Sequence, residues 1–234
     1  MTNEEIIQKH LISHKTVDCL VFEPTKVEKI LVSFTGMQLG HFNKWSWYHH
    51  EYQKDTNILF IVLRDDEHLY FLDRPGKTYV DDHLEFINQK IEQYGLTSKD
   101  VYTTGSSMGG YAAVYYAFLL NANIAIASVP IVDYQSAELI KPWTLWTRQM
   151  SAVGEHWTDL HDFILTQKST TDVYIIHGQF DADISATNNL VKSIEKLGLR
   201  YEREVVEGKT HDEYLTLVKM MSIINNGINE QKTA

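Results

Sequence analysis

Several stretches of the chain are apolar at almost every position and are closed at each end by polar or turn-forming residues. Residues 29–34 (KILVSF), 57–63 (NILFIVL), 123–129 (NIAIASV) and 172–177 (DVYIIH) have this form. Strands covered on both faces of a parallel sheet read this way, because neither face alternates with solvent. Between them the period changes to that of a helix. Val80, Leu84, Ile87 and Ile91 form one stripe over residues 78–94, with Gly95 behind it, and Leu190, Ile194 and Leu197 form another after Ser185, ended by Gly198. Shorter runs at 101–104 and 200–206 add two strands. Strand and helix alternating along a chain predict an α/β fold: a mostly parallel sheet of about seven to eight strands with helices on both faces.

The flanks of this pattern are less regular. Residues 1–28 predict one or two edge strands, the clearer at 16–22 and stopped by Pro24. Residues 41–52 carry Trp45, Tyr48 or His49, and Tyr52 at helical spacing, with Asn43 as a candidate cap. Residues 133–171 have little periodicity and read as a short lid insertion within one domain spanning 1–234.

The strand at 101–104 runs into Gly105-Ser106-Ser107-Met108-Gly109, which is followed by an almost wholly apolar segment to Leu120. This G-x-S-x-G between strand and helix is the pattern of a nucleophile elbow. A serine on so tight a turn adopts a strained backbone conformation, and side chains two residues to either side would collide across it. Ser107 is therefore the candidate nucleophile. The helix that starts behind it turns free amides toward any oxyanion formed there, so the Met108 N–H is one candidate donor. Thr35-Gly36-Met37, after the strand at 29–34, is placed to supply the second, the Met37 N–H. A phosphate-binding loop needs a lysine after its glycines, and Tyr111 stands there instead.

A base and an acid are needed next. His211 lies in the last loop, where Thr210 and Glu213 have the spacing of a capping box that would start the final helix at His211. Asp181, in the loop after the strand at 172–177, is the favoured acid, with Asp183 and Asp133 as alternatives. His177 is expected to pack within the strand end.

Charge and composition narrow the function. The formal net charge is −10, with no block of Lys or Arg, which argues against nucleic acid and anionic membranes as partners. No apolar run reaches membrane-spanning length and the acidic N-terminus lacks a signal core, so a cytoplasmic location is expected. Cys19, the one cysteine, reads as a buried thiol. His10 and His14 are four apart but lack a third ligand and are expected at the solvated surface; no metal or organic cofactor is expected. Trp143, Trp146 and Trp157 lie in the 133–171 insertion. Their flat apolar faces suit either an acyl or sugar pocket or an anchor to the core.

Taken together, the Ser107 elbow, the turn His177-Gly178-Gln179-Phe180-Asp181 and the Thr210-His211 loop resemble the α/β-hydrolase superfamily over roughly residues 15–226. The oxyanion loop departs from many members in having Thr35-Gly36 where they have His-Gly. A finer likeness is to the hydrolase-like proteins of bacterial glycoconjugate and accessory-secretion gene sets, through the F-[ST]-G loop, Arg64-Asp65 and G-S-S-M-G-G-Y. The resemblance implies a serine esterase with the triad Ser107, His211 and Asp181, acting on a small-molecule ester or an acylated carbohydrate without a cofactor. It leaves carbohydrate O-acetyl transfer through the same residues as an alternative. A non-catalytic binding domain is the alternative from another class, and three intact triad residues in order argue against it.

Overall fold

The computed structural model describes residues 1–37, 42–135, 148 and 151–229. Its centre is an eight-stranded sheet in the order β1-β2-β4-β3-β5-β6-β7-β8. The strands are β1 (Leu11–His14), β2 (Val17–Phe22), β3 (Lys29–Phe34), β4 (Ile58–Leu63), β5 (Val101–Ser106), β6 (Ile124–Ser128), β7 (Asp172–Gly178) and β8 (Tyr201–Val206). From β4 to β8 every pairing is parallel, while β2 joins both β1 and β4 antiparallel. The mostly parallel α/β sheet expected from the apolar runs is present. Those runs are apolar throughout because both faces are covered.

One face packs on α3 (Tyr79–Gln93), α4 (Met108–Leu120), α5 (Leu160–Thr166) and α6 (Ile184–Lys196), burying Ile30, Val32, Phe34 and their neighbours in the strands. The other, with Leu31, Phe60, Ile126 and Tyr174, packs on α1 (Asn3–His10), α2 (Trp45–Gln53) and α7 (Leu217–Asn226). Alternate residues of one strand thus enter opposite cores, as the pleat requires.

Four local expectations are corrected or extended. Both edge strands expected within residues 1–28 are present as β1 and β2, and residues 3–10 add a helix before them, started by a capping box in which Thr2 accepts from Glu5 N and Glu5 accepts from Thr2 N. The N-terminal edge pattern missed it because two turns supply too few apolar positions to show a period. His10 is buried against Phe22, His49 and Tyr52, not solvated, and its ring Nδ1 lies 3.1 Å from Val21 O. The final helix begins at Leu217, capped by the Thr216 hydroxyl, so Thr210 and Glu213 do not form a capping box. Glu213 instead pairs with Lys44 at 2.7 Å, and a long-range ion partner has replaced the local cap. Asp183, not Ser185, occupies the N-cap position of α6, and Lys44, not Asn43, that of α2, neither making a side-chain cap hydrogen bond.

Candidate active site

The elbow sits between β5 and α4 at the centre of the sheet. Ser107 has φ 56° and ψ −116°, a strained backbone for a residue with a Cβ. It is held by Ser107 N donating to Ser128 O at 3.0 Å and by its own carbonyl accepting from Tyr111 N at 3.1 Å and Ile131 N at 3.3 Å. The flanking glycines are dictated by backbone contact. A Cβ on Gly105 would lie 2.1 Å from Gly109 O, and one on Gly109 would lie 2.2 Å from Phe34 O. Helix and strands therefore approach closer than any side chain permits, which is the physical content of the G-x-S-x-G spacing.

Two further loops reach the same carboxyl edge, the edge at which open α/β sheets bind ligands. β7 and β8 are parallel neighbours, and the loops beyond them are stitched together by Gln179 N to Val206 O at 2.9 Å and Phe180 N to Lys209 O at 2.7 Å. The Gly208 amide adds a bond to Gln179 Oε1 at 3.0 Å. Gly178 makes the approach possible: a Cβ there would stand 2.2 Å from Thr210 O. Through this contact Asp181 and His211 meet. His211 Nδ1 lies 3.1 and 3.2 Å from the two Asp181 carboxylate oxygens, and His211 Nε2 lies 3.1 Å from Ser107 Oγ.

The polarity of this line suits proton transfer. The Asp181 side chain is 2% exposed, while that of His211 is 20% exposed. Burial raises the Asp181 carboxyl, but the hydrogen bond and charge of His211, the Asp183 amide and His177 outweigh it and hold the pKa below the usual carboxylate value. An ionised Asp181 beside Nδ1 places the ring proton on that nitrogen and leaves Nε2 free to accept from Ser107. His177, buried in the strand end as expected, supports the turn below. Its Nδ1 donates to Gly178 O at 2.8 Å and its Nε2 accepts from Arg203 Nε at 2.8 Å, an arrangement that burial keeps neutral.

The other candidate acids lie elsewhere in the hydrogen-bond network. Asp183 is buried and accepts from Val132 N at 3.1 Å, and Asp133 stands half-buried beyond the end of β6; His211 bonds to neither. Of the proposed oxyanion donors, Met108 opens α4, where helix amides have no acceptor within the helix. Met37 is half-buried after β3, just beyond Gly36, which faces Ser106 O.

Trp143 and Trp146 lie outside the described residues. Trp157 is half-buried and stacks on Tyr111, one helical turn after Ser107, at a ring separation of 4.9 Å, with Tyr70 edge-on to it at 5.0 Å. Its indole N–H donates to Asp159, which also accepts from Tyr134 N, so residues 157–160 are tied to the chain leaving β6.

Arg64-Asp65, singled out in the sequence, divides its roles. Asp65 is buried and accepts from the amides of Glu67, Leu69 and Phe71 and from Arg74, which holds His68, Tyr70 and Phe71 in left-handed conformations. The clamp is local, since every partner of Asp65 lies within the next nine residues; the Lys44 to Glu213 pair, which braces the histidine loop, had no sequence signal because its partners lie in different segments. Among the described residues no group of His, Cys, Asp or Glu is arranged to hold a metal ion, and no helix is long and apolar enough to cross a membrane.

Known proteins share this architecture. The S-formylglutathione hydrolase FrmB of Staphylococcus aureus superposes with a TM-score of 0.64 at 17% identity, over 92% of this chain and 95% of its own. The capsule O-acetyltransferase of Neisseria meningitidis serogroup A does so with a TM-score of 0.70 at 16% identity, over 92% and 94%. Dipeptidyl peptidase 4 of Porphyromonas gingivalis matches 93% of this chain with 35% of its own, at a TM-score of 0.69 and 12% identity. Among curated protein sequences none matches the chain. By sequence family the match is to the prolyl oligopeptidase family over residues 41–222, well over half of the chain, and with the fold above this places the protein in that family of the α/β-hydrolase superfamily.

Proposed function

We propose that the protein is a serine hydrolase that cleaves a carboxylic ester of a small substrate through an acyl-enzyme. The observation that carries this reading is the continuous line from the Asp181 carboxylate through His211 to a strained, half-exposed Ser107, each link between 3.1 and 3.2 Å. In it, Ser107 Oγ attacks the carbonyl carbon as His211 Nε2 takes the hydroxyl proton. The amides of Met37 and Met108 stabilise the oxyanion. Collapse of the tetrahedral intermediate breaks the ester C–O bond, and His211 returns its proton to the leaving alkoxide. Water then attacks the acyl-enzyme with His211 again as base, releasing the acid and restoring Ser107.

A second reading replaces water by a carbohydrate hydroxyl in the last step, so that the acyl group is transferred. It is favoured by the likeness, over nearly the whole of both chains, to a capsule O-acetyltransferase. In either reading the tryptophans of the 133–171 stretch, Trp143, Trp146 and Trp157, are the candidates for contact with substrate. Replacing Trp143 or Trp146 by Ala is then expected to raise KM more than it lowers kcat.

The test is labelling by a fluorophosphonate probe, followed by an assay of aryl esters of increasing acyl length, sugar acetates and a prolyl anilide. Labelling of the wild type and not of Ser107→Ala is expected, with free acid as the main product from esters. Absence of labelling in a folded wild-type protein would overturn the serine mechanism. Preference for the anilide would move the substrate class to peptides, and an acetylated sugar as main product would select the transferase.

A further inference from the structure

A second cleft, of about 200 Å³, opens beside the carboxyl end of β4 and the start of α3. It shares no lining residue with Ser107, Asp181 or His211. Its floor is built from buried polar side chains. Arg74, 6% exposed, bonds Asp65 Oδ1 at 2.5 Å and Glu67 Oε1 at 2.8 Å and lies 3.8 Å over the Tyr79 ring. Its Nε–H has no partner. His83, 2% exposed, also lines the cleft, with Nδ1 donating to Tyr79 O at 2.5 Å. Its Nε2 has no partner either. Since Nδ1 faces a carbonyl it carries the ring proton, and burial keeps the imidazole neutral, so Nε2 is a bare acceptor.

One cleft is thus lined by an unpaired buried donor and an unpaired buried acceptor, a state that native proteins avoid. Of the common ligand groups, a hydroxyl satisfies both, because it donates and accepts at once. The charges around it disfavour ionic groups. Asp18, Asp65, Asp66 and Glu67 outnumber Arg64 and Arg74, and both guanidiniums already stand beside carboxylates, Arg64 within 3.0 Å of Asp66 and 3.5 Å of Asp18, although its Nε, like that of Arg74, lacks a hydrogen-bond acceptor. An anionic ligand would meet net repulsion. An ammonium only donates and would leave the Arg74 N–H unpaired. The volume suits a single six-membered ring, given that a cavity of about 150 Å³ takes up benzene.

We propose that this cleft binds an uncharged sugar ring or polyol of monosaccharide size, with ligand hydroxyls bridging Arg74 Nε and His83 Nε2 and donating to Asp66 and Glu67 at the rim. Methyl pyranosides of the gluco, galacto and manno series test it by calorimetric titration and by the imidazole nitrogen shifts of His83. They contain no ester, so binding is read whatever Ser107 does. At least one is expected to bind saturably, to shift the His83 Nε2 resonance, and to lose about tenfold in affinity in Asp66→Ala, as befits one hydrogen bond to a charged group. Gluconate and glucosamine are expected to bind at least tenfold more weakly. His83→Asn is expected to abolish binding, and where it fails to fold the exposed Asp66 variant and the wild-type nitrogen shifts still decide. No saturable binding by any methyl pyranoside, equal or better binding of gluconate or glucosamine, or affinity unchanged in Asp66→Ala with His83 unshifted would each overturn the proposal.

Discussion

A serine hydroxyl is a weak nucleophile until a base stands at its proton and a third group holds that base in the right tautomer. Ser107, His211 and Asp181 have that arrangement, and Ser106, one residue away on the other side of the pleat, does not. Ser107→Ala should therefore lose on the order of a thousandfold or more in kcat, with an unchanged melting temperature, while Ser106→Ala stays within a few-fold of the wild type. Steady-state kinetics beside thermal unfolding reads both. Among the acids, Asp181→Asn should be the damaging change, because it removes the charge that fixes the imidazole. Asp133→Asn is expected near wild type, and Asp183→Asn should act on stability, since Asp183 supports the Val132 amide. Damage from Asp133→Asn with a near-normal Asp181→Asn would reassign the acid. Cys19 permits a simpler test: it is wholly buried, and burial pushes its thiol up to about 12. A thiol reagent at pH 8 should react with it only as the protein unfolds, and prompt native-state reaction would contradict its place in the core.

At the scale of elements, the site depends on two loops held in register rather than on any one helix. Gly178 is the contact point, and a methyl group there would displace backbone, not a flexible side chain. Gly178→Ala should therefore push the histidine loop away from the elbow. A displacement near 1 Å is enough to cost about a hundredfold in rate. The expected outcome is a folded protein with unchanged far-UV circular dichroism, a kcat lowered on that order, and slowed fluorophosphonate labelling. Wild-type kcat in Gly178→Ala would show that the loops do not depend on this approach.

For the whole molecule, the buried histidines set the response to acid. His10, His49, His83 and His177 are all less than a tenth exposed, and burial lowers each below the ordinary histidine value. As pH falls below about 6.5 the unfolded chain takes up protons that the folded chain refuses, so the unfolded state gains and stability drops. The stability linked to Asp181 has a different window, present above the unfolded carboxyl pKa near 4 and lost as pH falls further through its lowered folded value. Urea midpoints should be level between pH 8 and 7 and decline from about pH 6.5 downward, with a steeper loss below pH 4. A midpoint unchanged from pH 8 to 5 would mean that these rings are not held neutral.

The sequence by itself determined the sheet, the helices α3, α4 and α6 beside it, and the elbow, but not α5, which falls in the aperiodic stretch 133–171. These are local: a run apolar on both faces, a stripe of period 3.6, or glycines two residues either side of a serine each state their geometry within a few neighbours. The order Ser107, Asp181, His211 was legible for the same reason, since each follows a strand that the pattern marks. The tertiary structure decided what depends on distant partners. His211 is placed by Gly178 and the β7–β8 register, not by a helix cap at Thr210, and Glu213 left that cap for Lys44 across the fold. His10 belongs to the core because α1 lies on β2 beside α2, a contact that its polar neighbours in the sequence conceal. The cleft over His83 arises where β2, the loop after β4 and α3 converge. Hydrogen bonds and ion pairs between such segments leave no periodic trace, because their spacing along the chain is set by topology and not by the repeat of any one element.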